Sequence, residues 1–321
     1  MRRFLMFVLL FAGLTIPAAC GGDDKPFAFP TVSSAEVGVD PTVVSSTAPP
    51  KETQFQVLTE GTGHPIGPED VLVAHAKGQV WSDGGVALPS FVNTFSGKHM
   101  LFQLISMTVP GWGKVLPGIK VGSRVLIVNP PADGFGDAGQ PGIGVTKDDS
   151  LIWVIDVVDS TPVDSSASGK PAEAAKNAGA LPTVTEGKSP TITMPKTAAP
   201  KALVVQPLLN GTGVEVKAGE MILAQYTGAI WKSGTVFDTT WAPQRGPYGF
   251  RVAETDQQTG EPGVIKGWVQ GLTGVRVGSR ILLIVPPKLG YGKQGKPPIE
   301  GTDTMVFVID VLGVYPDPTK G

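Results

Sequence analysis

Few side chains in this 321-residue sequence are suited to covalent or metal chemistry. Cys20 is the sole cysteine, so no disulfide can form within the chain. The three histidines, His64, His75 and His99, lack the short spacing of metal ligands and have no cysteine partner. We therefore expect no metal site and no cofactor. The four tyrosines all follow residue 200, so the two halves of the chain differ in their polar aromatic side chains.

Cys20 ends a segment that is typical of a secretory signal peptide. A basic start precedes an apolar run from Phe4 to Ile16, and small residues follow. The run is too short for a comfortable membrane span. A cysteine in this place resembles the lipobox of bacterial lipoproteins, although Pro17 stands where leucine is usual. We expect lipidation of Cys20; the alternative is an ordinary cleaved signal followed by a free thiol.

The charge and composition exclude some classes of partner. The formal net charge is -2, and no long basic run is present, which argues against a nucleic-acid partner held through its phosphates. The Gly-Lys segment GKQGK at 292–296 lacks the full phosphate-loop pattern. The 42 glycines and 30 prolines favour β-rich domains with many turns, joined by flexible connectors.

The sequence contains an internal duplication. VGSRVLIVNPP at 121–131 returns as VGSRILLIVPP at 277–287, and VLVAHAKGQVWSDG at 71–84 returns as MILAQYTGAIWKSG at 221–234. The stretches that precede the copies are rich in Ser, Thr, Ala and Pro and predict disorder. The predicted organisation is a signal peptide (1–20), a disordered tether (21–52), a first domain (53–159), a flexible linker (160–202), a second domain (203–315) and a tail (316–321).

Each copy predicts an α+β domain. The stretches MILAQYTGAIW, SRILLIVPP and TMVFVIDVL are rich in β-branched and aromatic residues and are bounded by turn formers, so they predict strands. VIKGWVQGLTG has apolar residues at i, i+3, i+4 and i+7, which indicates one short helix. A curved antiparallel sheet wrapped on a short helix accounts for this pattern.

The second copy resembles the FK506-binding-protein family of peptidyl-prolyl cis-trans isomerases. The resemblance covers 203–315 and depends on LAQYTGAIWKSGTVFDTT, GVIKGWVQGLTGVRVGSRILLIVPPKLGYG and TMVFVIDVL, in order and spacing. No single motif would identify the family, but the set is specific. It implies a five- to six-stranded antiparallel sheet around a short helix, with a shallow apolar pocket between them.

Carried over position by position, the resemblance predicts the site residues. The residues implied in catalysis are Tyr226, Phe237, Asp238, Ile265, Trp268, Tyr291 and Phe307. Those implied in substrate binding are Tyr248, Phe250, Val264 and Ile299. The sequence departs from the family at Tyr248, where phenylalanine is usual, and at Gly263, where glutamate is frequent.

The resemblance also implies roles for these side chains. The apolar ones would exclude water and hold a proline ring over Trp268, Tyr291 would donate a hydrogen bond to a substrate carbonyl, and Tyr226 would pair with Asp238. A purely structural role stays open for three of the residues. Phe250 and Phe307 could serve packing alone, and Asp238 could stabilise a turn.

The first copy departs much further from the family pattern. In the alignment by repeated strings, Tyr226 corresponds to Ala76, and Phe237-Asp238 to Ala87-Leu88. Tyr291 corresponds to Phe135 and Phe307 to Trp153, whereas Trp112 occupies the position of Trp268. The sequence therefore predicts a first domain that has lost its pocket.

These observations favour an extracytoplasmic peptidyl-prolyl isomerase whose active site lies in the second domain. Its implied partners are proline-containing exported polypeptides, FK506-like macrolides and, through a lipid anchor, the membrane of the cell envelope. The alternative is a non-catalytic lipoprotein that binds or scaffolds other proteins. The client proteins and the oligomeric state stay open.

Overall fold

The computed structural model describes residues 27–82, 84–85, 88–95, 99–174, 178–256 and 262–316. Cys20 and the predicted signal segment lie outside these residues. Within the described ranges, no helix is both long enough and apolar enough to cross a bilayer.

The first copy folds as a six-stranded antiparallel sheet with one short helix on one face. Its strand order is β3-β7-β8-β4-β5, and β6 pairs with the start of β4. The long strand β4 pairs with β8 along its whole length. The elements of this half are β1 (Thr31–Val32), β2 (Val43–Val44), β3 (Gln54–Thr59), β4 (Asp70–Val80), β5 (Ser90–Asn93), β6 (Leu101–Leu104), α1 (Pro110–Val115), β7 (Arg124–Asn129) and β8 (Leu151–Pro162).

The second copy repeats this topology with one added strand. Its order is β14-β13-β17-β16-β12-β9, and β15 pairs with the start of β13. The extra strand β9 comes from the segment between the copies and pairs with β12. The elements are β9 (Lys170–Pro171), β10 (Thr183–Val184), β11 (Ile192–Thr193), β12 (Val204–Asn210), β13 (Met221–Ile230), β14 (Val236–Thr239), β15 (Tyr248–Arg251), α2 (Lys266–Leu272), β16 (Arg280–Val285) and β17 (Met305–Tyr315).

These elements confirm the predicted α+β class. The stretches MILAQYTGAIW, SRILLIVPP and TMVFVIDVL supply β13, β16 and β17, and VIKGWVQGLTG supplies α2. Helix α2 lies close to the sheet because glycines face it. A Cβ at Gly271 would lie 2.3 Å from Leu283 Cδ1, and one at Gly267 would lie 2.6 Å from Val285 Cγ1. No larger residue fits at either position without a shift of the helix or of the side chain it meets.

The other face of each sheet is covered by a segment for which the sequence pattern predicts disorder or flexibility. In the first half this strap, which we define as residues 27–50, carries the β1–β2 hairpin and packs Val43 against Leu126 and Ile152. In the second half the strap, residues 178–201, carries the β10–β11 hairpin and packs Leu181 against the outer face of the second sheet.

The straps differ from the prediction for a physical reason. Strands β7 and β16 are buried at every position, so each sheet has two apolar faces. The helix covers one face, and the second face needs another cover. The strap contributes a few apolar side chains and many turn residues. This composition is typical of a disordered segment, because the sheet that orders the strap is distant in the sequence. The tether and linker predictions are therefore corrected for their described residues.

A buried ion pair fastens each strap to its sheet. Arg280 donates from Nε and Nη2 to the two carboxylate oxygens of Asp310 at 2.6 and 2.7 Å. The same guanidinium donates to the carbonyl oxygens of Gly187 and Lys188 in the strap. In the first half, Arg124 and Asp156 form the equivalent pair and hold Ser34 and Val39. The duplication therefore includes the strap as well as the sheet.

The two domains are packed against each other. An apolar cluster joins Val71 and Val73 of β4 to Met221, Leu223 and Tyr315 of the second sheet. The Tyr315 hydroxyl donates to Asp159 Oδ2 at 2.8 Å. Gln225 Nε2 donates to the carbonyl oxygen of Val163 at 2.8 Å. An apolar cluster and two hydrogen bonds thus fix the two domains against each other.

Candidate active site

A cavity of about 770 Å³ lies between α2 and the inner face of the second sheet. Nine of its lining residues belong to the set that the sequence predicted. They are Tyr226, Phe237, Asp238, Tyr248, Val264, Ile265, Trp268, Tyr291 and Phe307. The elements that carry them are far apart in the chain, so the fold is what brings them together.

Trp268 forms the floor of the cavity, and aromatic rings surround it. It is 5% exposed and stands on the first turn of α2. Its ring lies 5.2 Å from Tyr226, 5.0 Å from Phe250 and 5.1 Å from Phe307, measured between centroids. The contacts to Tyr226 and Phe307 are edge-to-face, an arrangement that aromatic pairs favour. The result is a rigid apolar floor.

Gly228 allows one wall of the cavity to form. The rings of Phe237 and Phe307 meet edge-to-face over it at a centroid distance of 5.7 Å. A Cβ at Gly228 would lie 2.7 Å from Phe237 Cζ and 2.8 Å from Phe307 Cε1. Any side chain there would push one of the rings away, which gives a steric reason for the glycine in the motif Tyr-Thr-Gly.

The polar wall consists of a chain of hydrogen bonds. The Tyr226 hydroxyl donates to Asp238 Oδ2, and Arg245 Nη1 donates to Asp238 Oδ1 at 2.8 Å. The backbone N–H of Tyr226 donates to Thr240 Oγ1 at 2.8 Å. Burial, together with the hydrogen bond to Asp238, raises the pKa of Tyr226 well above its ordinary value. Tyr226 is therefore a neutral donor that orients the carboxylate at neutral pH.

Tyr291 lies at the mouth of the cavity. Its hydroxyl makes no hydrogen bond to any residue that the structure describes. Burial raises the pKa of its phenol, and the negative charge of Asp238 adds to the shift. The Tyr291 O–H is thus protonated at neutral pH and available to donate to a bound molecule. Lys296 Nζ lies 5.5 Å from the centre of its ring.

Two predicted residues lie behind the cavity instead of lining it. Phe250 is 5% exposed, packs on Trp268 and stacks on Tyr248 at a centroid distance of 5.7 Å. Ile299 is buried in the same core, and its backbone pairs with Lys296. Both support the site through packing. Tyr248 itself is 51% exposed and forms part of the rim.

Sequence reasoning missed the basic side chains of the rim. Arg245, Lys266, Lys288 and Lys296 line the cavity. No motif marks them, because each reaches the rim through the conformation of its loop or helix end. Groups of His, Cys, Asp and Glu that could hold a metal ion are absent among the described residues. The cavity is thus apolar inside and charged around its opening.

The structure corrects the alignment of the first domain. β5 pairs with β4 as β14 pairs with β13, so Val92 lies opposite Gly78 as Asp238 lies opposite Gly228. The counterpart of Phe237 is consequently Phe91, not Ala87, and the counterpart of Asp238 is Val92, not Leu88. A longer loop before β5 displaces the strand along the chain relative to the repeated strings.

The first domain has therefore kept an aromatic cluster and lost its polar wall. The Trp153 ring lies 5.1 Å from Phe91 and 4.9 Å from Trp112, and Phe91 also meets Phe135 at 6.3 Å. With Ala76 and Val92 at the positions of Tyr226 and Asp238, no tyrosine–carboxylate pair can form. The indole of Trp153 occupies the place of the smaller Phe307 ring.

The chain is similar in sequence to several known proteins. The family model of FKBP-type peptidyl-prolyl cis-trans isomerases matches residues 64–158 and 213–312, which together exceed half of the chain. A probable FK506-binding protein of Corynebacterium glutamicum is 33% identical over 39% of this chain and 98% of its own length. The isomerase FKBP14 of Mus musculus is 38% identical over 32% of this chain, and the match spans 46% of that protein. The crystal structure of FkpA from Escherichia coli is 34% identical, with 36% of this chain and 49% of that chain covered and a TM-score of 0.32.

Proposed function

Because the chain belongs to the family of FKBP-type peptidyl-prolyl cis-trans isomerases, we propose that its second domain carries the active site that rotates Xaa-Pro bonds. Proline-containing peptides and FK506-type ligands are the molecules that this family binds. The enzyme class is that of the relatives, peptidyl-prolyl isomerase. The observation that supports the second domain is the set of rings around Trp268 beside the Tyr226–Asp238 pair.

The chemistry needs no nucleophile, because no covalent bond breaks. Rotation about the peptide bond is opposed by amide resonance, with a barrier of about 18–20 kcal/mol. Uncatalysed Xaa-Pro isomerisation takes tens to hundreds of seconds. The planar amide is charge-separated, and water stabilises it, whereas the twisted transition state is less polar. A dry aromatic cavity therefore stabilises the transition state relative to the ground state.

Each part of the cavity has a role in this scheme. Trp268, Phe237 and Phe307 hold the proline ring and exclude water. The Tyr291 hydroxyl donates to a substrate carbonyl, which fixes the orientation of the chain. Asp238 and Tyr226 hold the polar wall in place, and Arg245 holds Asp238 from the outer side.

The test compares two matched phenylalanines in the full-length chain. Phe237→Ala removes a wall ring in the second domain, and Phe91→Ala removes its structural counterpart in the first. We expect Phe237→Ala to lower kcat/KM on an Xaa-Pro tetrapeptide by at least about tenfold, equal to about 1.4 kcal/mol in the transition state. Phe91→Ala should leave kcat/KM within a factor of about two.

Equal losses in the two variants would place activity in both domains. A folded wild-type chain without isomerase activity would favour a protein that binds or scaffolds its partners. Circular dichroism of each variant provides the control for folding.

We further propose that the mature protein begins at Cys20 and is held at the cell envelope by a lipid, with exported polypeptides as its substrates. The support is the basic and apolar start that ends in the sole cysteine. Mass spectrometry of the N-terminus from the native host should show a lipid-modified cysteine. An unmodified Cys20, or a different first residue, would contradict the proposal.

A further inference from the structure

A second cavity, which we call the interdomain groove, lies where the two domains face each other. Its volume is about 600 Å³, within the range of about 300–1,000 Å³ that is usual for binding clefts. Leu104 and Met107 of the first domain form one side. Trp241, Pro243 and Arg245 of the second domain form the other. Both copies of the duplicated fold thus contribute to one concave surface.

The groove adjoins the candidate active site. Arg245 lines both cavities, and its guanidinium bonds to Asp238 in the polar wall. The loop that carries it is a tight turn in which the Arg245 N–H donates to the Ala242 carbonyl at 3.1 Å. Gln244 in this turn has a φ of 60°, unusual for a residue other than glycine. A chain that leaves the active-site cavity beside Asp238 would therefore pass Arg245 and enter the groove.

Packing between the domains fixes the position of one wall of the groove relative to the other. The Phe102 ring fills the space above Gly249, where a Cβ would lie 2.0 Å from Phe102 Cγ. It also meets Tyr315 at a centroid distance of 5.7 Å. A Cβ at Gly246, next to Arg245, would lie 2.8 Å from Val163 Cγ2. The loop 241–246 thus packs against the junction between the domains. The groove therefore exists before any ligand binds.

The lining of the groove suits an extended polypeptide. Met107 is 61% exposed, the second most exposed large hydrophobic side chain among the described residues. Trp241, which is partly buried, lines the same groove. Methionine adapts its shape to different side chains, and both methionine and tryptophan are enriched in protein interfaces. A surface of this type binds apolar side chains of varied sequence, as an unfolded protein would present them.

We propose that the interdomain groove binds the part of an unfolded polypeptide that flanks the proline in the active site. The inference deepens the proposed function and rests on it. The first domain then acts in catalysis by holding the substrate chain, although it lacks the polar wall. A tetrapeptide, with a reach of at most about 14 Å, would occupy the active-site cavity and gain little from the groove.

The test uses two substrates on the full-length chain. One is an Xaa-Pro tetrapeptide, and the other is an unfolded protein whose refolding is limited by prolyl isomerisation. Met107→Glu places a charge in the groove and leaves the active-site lining intact. We expect kcat/KM on the protein substrate to fall at least about fivefold, through KM, because the apolar contact is lost. The tetrapeptide value should stay within a factor of about two.

Val214→Glu is the matched control, because Val214 is 66% exposed and lies outside both cavities. It should change neither value. An equal loss on both substrates in Met107→Glu, or no loss on either, would overturn the proposal. Failure of the wild-type chain on the tetrapeptide would instead contradict the proposed function.

Binding provides a measurement that does not depend on turnover. The probe is a reduced and carboxymethylated protein that stays unfolded, labelled for fluorescence anisotropy. We expect Met107→Glu to weaken its binding at least about fivefold, with Val214→Glu at the wild-type value. Equal affinities of wild type and Met107→Glu would exclude the groove as a binding surface for unfolded chains.

Discussion

Phe237 and Asp238 are neighbours in β14, yet their side chains have different surroundings. The Phe237 ring packs on Phe307 and closes the apolar wall. Asp238 accepts hydrogen bonds from Tyr226 and Arg245 and faces the rim. In the proposed mechanism, exclusion of water depends on the Phe237 ring, whereas the Asp238 carboxylate mainly holds other side chains in position. The two residues can therefore be separated by mutation.

We expect Phe237→Ala to reduce kcat/KM on an Xaa-Pro tetrapeptide more than Asp238→Ala does. The expected losses are at least about tenfold and about threefold, that is about 1.4 and about 0.6 kcal/mol. Urea denaturation must accompany the kinetics, because Phe237 is partly buried against the core, and truncation of a fully buried phenylalanine costs about 3–5 kcal/mol. Asp238→Ala also leaves the buried Tyr226 hydroxyl without its partner, at about 1–3 kcal/mol. A larger loss in Asp238→Ala would assign the carboxylate a direct role in the transition state.

The site residues show what the sequence could predict at this scale. The motif order indicated Tyr226, Trp268 and Phe307, because these positions lie in regular elements at fixed spacing. Arg245 escaped prediction because a turn of irregular conformation brings it back to Asp238. The sequence does contain a signal that pairs Phe237 with Phe91. FVNT at 91–94 and FDTT at 237–240 share phenylalanine and threonine at the same spacing. Thr94 Oγ1 indeed accepts from Ala76 N–H as Thr240 does from Tyr226.

His75 makes the stability of the first domain depend on pH. It is 7% exposed, and its ring packs on Phe95 at 5.6 Å. Burial lowers the pKa of His75, and the Thr94 carbonyl and the charge of Asp156 oppose this only in part. The unfolded chain therefore takes up the proton more readily than the folded one. Stability is lost as pH falls through the ordinary histidine value of 6.5.

We expect the wild-type free energy of unfolding to decrease between about pH 7.5 and about pH 5.5 by more than that of His75→Gln, because glutamine does not titrate. Urea denaturation at the two pH values measures the difference. His99→Gln, at an exposed position, is the control and should follow the wild type. Identical pH dependence in wild type and His75→Gln would show that the histidine is protonated at no cost.

At the scale of elements, the strands and the helix followed from the sequence, and the straps did not. A strand that alternates between apolar and polar residues has one covered face, but RVLIVN and RILLIV are apolar on both. That pattern indicates that a second segment covers the other face of the sheet, but it does not identify the segment. The straps hold only short hairpins, and their order depends on contacts with distant strands. Local sequence patterns carry little of that information.

The Arg280–Asp310 pair is the link on which the second strap depends. Both side chains are nearly inaccessible, at 5% and 2% exposure. Arg280→Met leaves a buried carboxylate without its partner, and we expect a loss of about 3–5 kcal/mol in the free energy of unfolding. We expect trypsin to cleave slowly at Lys188 and Lys196 in the wild type and rapidly in Arg280→Met. Urea denaturation and limited proteolysis measure the two effects.

Arg276→Met is the matched control. Arg276 and Glu215 are about half exposed and 3.5 Å apart, so their pair contributes about 0–1 kcal/mol. Rapid cleavage of the wild-type strap, as the sequence pattern alone would predict, would show that the segment is not held to the sheet.

At the scale of the whole molecule, the arrangement of the domains could not be predicted from the sequence. Two domains joined by roughly forty residues rich in Ser, Ala and Pro predict independent motion. The structure instead has β8 continuing to Pro162, strand β9 added to the second sheet, and Phe102 seated on Gly249. Phe102 contacts the strand β15 at Gly249, between Tyr248 and Phe250, so the first domain supports a wall of the candidate active site. No sequence pattern around Gly249 predicts its contact with Phe102.

This packing predicts that the domains unfold together. Phe102→Asp would place a carboxylate against Gly249 and the ring of Tyr315, where desolvation of the charge is costly. We expect one calorimetric transition in the wild type and two in Phe102→Asp, and a larger maximum dimension of the variant in small-angle X-ray scattering. Phe55→Asp is the control, because Phe55 is 48% exposed on β3 and lies outside the interdomain cluster. Two transitions in the wild type would mean that the domains are stable independently. An unchanged single transition in Phe102→Asp would show that the Phe102 contact does not hold the domains together. The Tyr315–Asp159 hydrogen bond would then be the contact to test, with Tyr315→Phe as the variant expected to separate the domains.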